Sequence, residues 1–524
     1  MTENNKARSS GLKIGTKLAI ISILISMIAV TASSMLSGYS STQALKRAAF
    51  ERLTAVRELK AQQIEHYFSQ VEDELKFISE SAYLKENFQR LRRGVVYIQA
   101  SNDLVTPQSQ EKLSNYYFDE FLTRYESSSG SRADDTLIQK LLPQHPLAIF
   151  LQNQYIFDQR LLNEAQFETF FGSAFANLDQ PLSEFKNRFG FYDVFLIEPQ
   201  DGRIVYSVER EIDFGTSLFD GPHSDTNLAR AVTSAMAARP DEVIFADFEP
   251  YVPSFSAPAA FAALPIYDGP TPIGVLAVQL PLSGINAIMT SNESWSDVGL
   301  GESGEAYLVG RDKLLRNQSR FLIEDREEYL KMISEVGLSS SIIDHIERTN
   351  SSIGLQKVDT VGTRAALAGN SGTEIFPDYR DVEVLSSYRP LKLSGLDWVI
   401  MSEIDREEAL SDASKLIDSL ILVASIILAI AIYASYLFSI SLTRPLRSLS
   451  ANATQLASGE LDTPVKLETR DEIGELARNF EALRLSMIRS LHEVEQQQLI
   501  LEESVEARTS ELNDASAQLE LALS

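Results

Sequence analysis

The sequence predicts an α+β protein that crosses a membrane twice, with two sheet-bearing units in tandem outside and a helical relay inside. Three observations carry that prediction. Two long apolar runs lack charge, the side-chain period switches from helical to strand-like near residue 191, and the same order of elements then returns. Each part follows from local chemistry.

Residues 419–443 read SLILVASIILAIAIYASYLFSISLT, 25 positions without a charge. A helix needs roughly 20 such residues to cross a hydrocarbon core of about 30 Å. Acids precede the run (Glu403, Asp405, Glu407, Glu408, Asp412, Asp418), and Arg444 and Arg447 follow it. Because Lys and Arg collect on the cytoplasmic side, the part before the run is expected outside and the part after it inside. The span itself is placed at 417–438. A first span is expected at 18–38, behind a basic segment, 1–17, with Lys6, Arg8, Lys13 and Lys17. A cleaved signal peptide is the alternative there, since Ala32-Ser33-Ser34 offers small residues at a possible cut. The apolar run is longer than a signal core and leads straight into a helical pattern, which favours a retained helix. Both termini are then cytoplasmic, and residues of about 39–416 are periplasmic, in a bacterial inner membrane.

The net charge is −26, and no basic patch stands out, which argues against nucleic acid as a partner. Cysteine is absent, so disulfides, thiolate metal sites and cysteine nucleophiles are excluded. The histidines are scattered without metal-ligand spacing, and neither metal nor cofactor is expected. Gly299-Leu-Gly301-Glu-Ser-Gly304 spells a dinucleotide fingerprint, but it precedes a strand instead of opening a helix, so it reads as a turn. His492-Glu493 lacks the residues that would make it a kinase phosphoacceptor.

From 43 to 83 apolar residues recur at helical steps (Leu53, Val56, Phe68, Val71, Leu75, Ile78), predicting one long helix, a stalk or an ordinary scaffold element. Residues 39–190 form this helix and a helical scaffold, with loops at 127–131 and 143–146. The first sheet unit is 191–290. Runs at 192–197 and 203–208 flank a Pro199-Gln-Asp-Gly202 turn, a hairpin signature. A helix at 227–239 and strands at 242–248, 259–266 and 273–280 complete an antiparallel sheet with helices on one side. The second unit, 291–410, opens on a hairpin at 305–309 and 313–317. It continues through helices at 324–336 and 339–348 and closes on strands at 382–391 and 397–403. The repeat, at roughly 115 residues, is one of pattern more than identity.

This arrangement resembles the double Cache sensors of bacterial receptors, built from PAS-like units. The resemblance lies in FGFYDVFLIEPQDGRIVYSVEREIDFGTSL, PSFSAPAAFAALPIYDGPTPIGVLAVQLPLSGINAIM and GLGESGEAYLVGRDKLLRNQSRFL, and covers about residues 40–410. It implies a periplasmic small-molecule site in the first, membrane-distal unit. Amino-acid-binding members of that family share an Arg-x-Trp-Tyr run and an aspartate late on the last distal strand. Here the run is absent, and Gln279 stands at the aspartate position. That exchange of carboxylate for amide argues against amino acids. The expected ligand contacts are Asp247, Tyr251 and Gln279 as polar groups, with Tyr206, Phe245 and Phe261 as walls, around a loop at 245–255. The alternative is that these aromatics are simply core.

Residues 439–490 resemble a HAMP relay domain. Arg444-Pro-Leu446 enters a helix, Gly459 ends it, 461–467 is an extended connector, and Asp471-Glu-Ile-Gly474 starts a second helix. Pro445, Leu449, Leu456, Glu472, Gly474 and Leu476 are the expected relay residues. Pro445 is expected in a first helical turn, and Asp471 and Glu472 suit a helix N-terminus. The apolar seam continues through 491–524 as a coiled-coil signalling helix with a stutter at 483–491. The sequence thus reads as a homodimeric receptor that passes a small solute's signal to a cytoplasmic output domain or partner protein. The alternative is the sensory half of a cyclase, histidine kinase or phosphatase. No catalytic domain is visible in these residues, and the short inner region argues against a chemotaxis receptor.

Overall fold

The computed structural model describes residues 14–101, 104–130, 135–157, 169–466 and 469–522. Most of the basic segment 1–17, Ser131 of the loop at 127–131, the end of the connector at Leu467 and the last two residues lie outside the described residues. The chain divides into two compact units, 42–412 and, separately, 1–41 with 413–524.

Within 42–412, the helix α1 (Ile14–Ser79) buries Leu53, Val56, Ile64, Phe68, Val71 and Leu75 at steps of three, four and eight, so one stripe faces the core. The expected helix to residue 83 is broken at Glu80 and Ser81. Ser81 caps a new helix, α2 (Ala82–Gln99), by accepting from the Leu84 amide at 3.4 Å. Helix Phe170–Phe189 lies so close to α2 that a Cβ on Gly94 would fall 2.7 Å from that of Phe171. Glycine is required there by contact alone.

Two antiparallel sheets form among the described residues. The distal one has the order β2-β1-β5-β4-β3, from β1 (Asp193–Ile197), β2 (Ile204–Ser207), β3 (Ile244–Tyr251), β4 (Ala257–Asp268) and β5 (Thr271–Leu280). The proximal one has the order β6-β9-β8-β7, from β6 (Glu305–Val309), β7 (Gly372–Pro377), β8 (Glu383–Pro390) and β9 (Val399–Asp405). Aligned on β1 and β6, the orders coincide, with β9 in the place of β5, β8 of β4 and β7 of β3. The α+β class and the tandem repeat therefore hold.

Three sequence expectations need correction. The second hairpin strand, 313–317, is reduced to the bridges Val309 to Leu315 and Leu314 to Lys357: the Arg316 amide bonds the Leu308 carbonyl, but the Leu308 amide is taken by the Asn317 side chain instead of by a further backbone carbonyl. The strand β7 and the helix Val361–Leu367 were not foreseen. The proposed pocket loop 245–255 is mostly strand β3, and only the segment from Val252 onward is a turn.

In the other unit, helix Arg406–Ala457 and helix Glu472–Ala522 flank the connector. Pro445 lies inside the first of these instead of in a first turn. The helix carries on through it, forgoing the hydrogen bond that residue 445 would make to the Ser441 carbonyl. Both α1 and Arg406–Ala457 are long and apolar enough to cross a membrane. Their apolar side chains, Leu24, Ile25, Ile28, Ile421, Leu422 and Ile430 among them, are exposed, as lipid-facing residues would be.

Candidate functional site

Strand register decides which of the expected ligand contacts can meet, because neighbouring residues on a strand point to opposite faces. Gln279 on β5 pairs with Phe261 on β4 and with Asp193 on β1, so these three form one row on one face. Phe195 pairs with Ser207, and Ser207 Oγ donates to Asp193 Oδ2 at 2.7 Å, placing Ser207 on that face too. The Tyr251 ring meets Phe261 edge-on at 4.9 Å. Tyr251, Phe261 and Gln279 are therefore brought together.

Tyr206 and Phe245 are not. Tyr206 pairs with Leu196 and Phe245 with Ala262, which puts both on the opposite face. There Tyr206 packs on Phe175 at 4.9 Å, and Phe245 packs on Phe68 of α1 at 5.2 Å. Asp247 also points elsewhere: it is engaged by Arg316 and Trp398 of the proximal unit. The register of β3 slips between Ala246 and Glu249, and such a bulge re-aims the residues it contains.

Around the row stand groups that sequence reasoning missed. Asp193 is fully buried and accepts from Ser207 and from the amides of Val208 and Glu209 at 2.9 and 3.0 Å. Glu211 accepts from Tyr192 Oη at 2.8 Å and from Ser254 Oγ at 2.7 Å. Asp213 accepts from the Tyr251 hydroxyl on one oxygen, while its Oδ1 has no partner among the described residues. Ser254 also bonds the Gln279 side chain at 3.3 Å. A cavity of about 470 Å³ opens beside this group, lined by Lys186, Tyr192, Glu209, Ser254, Gln279 and Pro281.

Burial pushes Asp193, Glu211 and Asp213 each up to about 7, and carboxylates of the same cluster add to the rise. Cations on neighbouring elements are committed elsewhere, Lys186 to Glu209 and Arg210 to Asp179. The arrangement is thus a cluster of acids rich in acceptors and without a cation of its own, beside a cavity whose wall carries the Lys186–Glu209 pair. The carboxylate missing from Gln279 is present directly across the strand pair, on Asp193. The ground for setting amino-group ligands aside therefore falls. A usable signal existed: an acid heading an otherwise apolar strand, and a Glu211-x-Asp213 pair just after its partner strand.

The relay region is built differently. Leu449, Leu456, Val465 and Ala477 form a small buried core, with Leu461, Ile473 and Phe480 packed against it. Asp471 Oδ1 accepts from the Gly474 amide at 3.0 Å, and a Cβ on Gly474 would collide with the Thr469 carbonyl. Glu472 begins the second helix, and Leu476 is exposed. Sequence reasoning missed the clamp on the connector. Glu481 accepts from the Val465 amide at 2.8 Å, and Arg484 donates to the Leu461 carbonyl at 2.6 Å while bonding Glu481. Those bonds, the one from Arg484 foremost, hold the Glu481 carboxyl well below its usual range.

Comparison with known proteins adds the following. Residues 437–489 match the HAMP domain, within two residues of the limits read from sequence. The chain is 27% identical over 252 residues to the methyl-accepting chemotaxis protein PctB of Pseudomonas aeruginosa, covering 47% of this chain and 34% of that one. It is 25% identical over 292 residues to a probable chemoreceptor, y4sI, of Sinorhizobium fredii, covering 55% of this chain and 32% of that one. The chain spans about a third of the length of the curated relatives it matches. Among solved structures it is similar to the ligand-binding domain of PctB from P. aeruginosa in complex with L-Gln. That match has 19% identity over 58% of this chain and 98% of that one, with a TM-score of 0.29. It is also similar to the sensor domain of the histidine kinase DctB of V. cholerae. There the identity is 13% over 56% of this chain and 98% of that one, with a TM-score of 0.28.

Proposed function

We propose that this chain is the sensing and relay part of a homodimeric receptor of the bacterial inner membrane, with both termini cytoplasmic. The observation that carries the reading is a single helix, Arg406–Ala457. It begins directly after β9, holds the apolar span, and ends inside the HAMP domain. One continuous helix thus follows the last sheet strand and carries the chain into the relay with no loop between them. The exposed apolar seam Leu476, Leu483, Met487, Leu491 and Val494 suits a second copy of the chain, and a cytoplasmic output domain or partner protein completes the path. Fusions of alkaline phosphatase and of a fluorescent protein after residues 300 and 500 test the topology. Phosphatase activity is expected only at 300 and fluorescence only at 500, and both sites reporting one compartment would refute the receptor.

The ligand of the distal pocket is a small organic cation bearing a protonated amine, held by Asp193, Glu211 and Asp213 with Tyr251, Ser254 and Gln279 around them. Two buried carboxylates and the half-buried Glu211, without a cation, are costly to ionise, and a positive ligand supplies the missing charge. Thermal shifts of the full chain with short amines and diamines, against alcohols of the same length, check this. Saturation at 100 times the dissociation constant should add about 2.7 kcal/mol for the amines alone. Equal shifts with the alcohols would remove the charge argument.

A further inference from the structure

The two sheet units of 42–412 share an apolar core and the bond from the Gln318 amide to Asn286, and one carboxylate also joins them. Asp247, turned out of its strand by the β3 bulge, accepts from Arg316 Nε and Nη2 at 2.8 Å each, and its Oδ1 also accepts from Trp398 Nε1 at 3.0 Å. Arg316 is buried to 2% side-chain exposure, and a Cβ on Gly310 would collide with its guanidinium. Phe248, next to Asp247, stacks on Trp398 at 5.8 Å, and Phe68 of α1 is edge-on to Trp398 at 5.4 Å. A two-pronged guanidinium–carboxylate pair fixes orientation as well as distance.

The position of this contact along the chain gives it meaning. Four residues beyond Asp247 on the same strand is Tyr251, whose hydroxyl rests on Asp213 in the distal pocket. Immediately after Trp398 begins β9, which passes without a loop into helix Arg406–Ala457. The first turn of that helix is itself held to the proximal unit, for Glu408 accepts from the amides of Glu302 and Ser303 at 2.8 and 2.7 Å. The pair is also able to open. Arg316 keeps a second carboxylate, Asp312, at 2.9 Å and the Leu314 carbonyl at 3.0 Å, so losing Asp247 leaves no buried guanidinium unpaired. Coupling between sites needs such a two-state element.

We infer that Asp247, Arg316 and Trp398 are positioning residues that pass the state of the distal pocket to the strand feeding the membrane helix. The inference rests on the receptor reading, yet its test uses neither ligand, topology nor output, so the two can fail separately.

The experiment uses the full chain in lipid nanodiscs with Trp295→Phe, which leaves Trp398 as the sole tryptophan of the two. Tyr251→Phe disturbs the pocket end of β3. Its effect is read at β9 by hydrogen exchange of 399–405 and at Trp398 by emission, with exchange at β1 reporting that the distal unit is still folded. With the contact intact, Tyr251→Phe should speed exchange at 399–405 about tenfold, the loss of one hydrogen bond to a charged group passed on in full. With Asp247→Asn, or with Arg316→Lys, which keeps the charge but loses the fork, the same substitution should change it less than about twofold. A static brace would slow or speed exchange by itself but leave the Tyr251→Phe effect unaltered. That additive result overturns the inference, as does no effect at 399–405 with the contact intact.

Discussion

The distal and proximal sheets are one design used twice, and they differ most in what faces the same row. In the distal sheet Asp193 stands opposite Gln279, and Phe261 is next across. In the proximal sheet Glu305 stands opposite Glu403, and Ser386 is next across. The proximal acids are enclosed and have a cation beside them, although Glu403 Oε1, like Asp213 Oδ1, has no partner among the described residues. Glu305 accepts from Tyr379 Oη at 2.7 Å and the Arg320 amide at 2.6 Å, and Glu403 accepts from Tyr307 Oη at 2.7 Å. Arg380 lies beside them, paired with Asp378 and Asp405 above the Phe321 ring, 3.9 Å from its centroid. The distal acids have hydroxyl and amide donors but no such cation, and a cavity opens against their hydrogen-bond partners Tyr192, Ser254 and Glu209. A duplicated fold can therefore set a cation against the acids of one copy and a cavity beside those of the other, with a handful of side chains making the difference.

The sharpest way to break this comparison is to remove the cation from each side. Arg380→Met strips a buried guanidinium from Asp378, which is itself 2% exposed, and should cost about 3–5 kcal/mol in denaturant unfolding. Arg210→Met removes the distal counterpart, whose partner Asp179 is 33% exposed, and should cost about 1 kcal/mol. Equal costs would mean that the distal unit is as closed as the proximal one.

Protonation gives a smaller and opposite pair of effects. Burial raises Asp193, Glu211, Asp213 and Glu305 to about 7 and Glu403 to about 8. A carboxyl raised on folding contributes stability that is complete below its unfolded value near 4 and lost as pH rises through the folded one. The melting temperature should thus fall from about pH 4 to about pH 8. Asp193→Asn with Asp213→Asn should reduce the fall below about 7, and Glu403→Gln should also remove the part between about 7 and 8. Amine binding runs the other way, tightening about tenfold from pH 6 to 8 as the distal carboxylates ionise. Calorimetry at the two pH values reads it, and binding that weakens over that range would exclude an ionised cluster.

Which parts of this were legible follows from what each signal is made of. The apolar spans, the strand pairs β1–β2 and β4–β5, and the relay helices are written in local periodicity, and they stand where the sequence put them. The strand β7 was invisible because it is an edge strand with Glu374 and Thr373 exposed, held by its pairing with β8 instead of by an apolar pattern. An acid heading an apolar strand marks Asp193 as unusual in the sequence, but only register shows that it faces Gln279. Tyr206 and Phe245 were grouped with the pocket by sequence proximity, though period-two alternation already set them against their neighbours. Asp247 could not have been placed, since a bulge leaves no local mark in the residues around it.

The smallest effects belong to two exposed pairs that flank the inter-unit contact. Arg230 bonds Glu249, two residues past Asp247, with side chains 54% and 51% exposed. Arg311 bonds Asp397, next to Trp398, with side chains 83% and 66% exposed. Each replaces water on both partners for a screened attraction and fixes two long side chains, so little is gained. Arg230→Ala and Arg311→Ala should each change unfolding free energy by less than about 0.5 kcal/mol, measured as a shift of denaturant midpoint at constant slope. They remove the same charge as Arg210→Met and Arg380→Met, one beside each sheet unit, without touching a buried group. A cost above about 1 kcal/mol from either would show that net charge, rather than burial, sets the contrast between the two units.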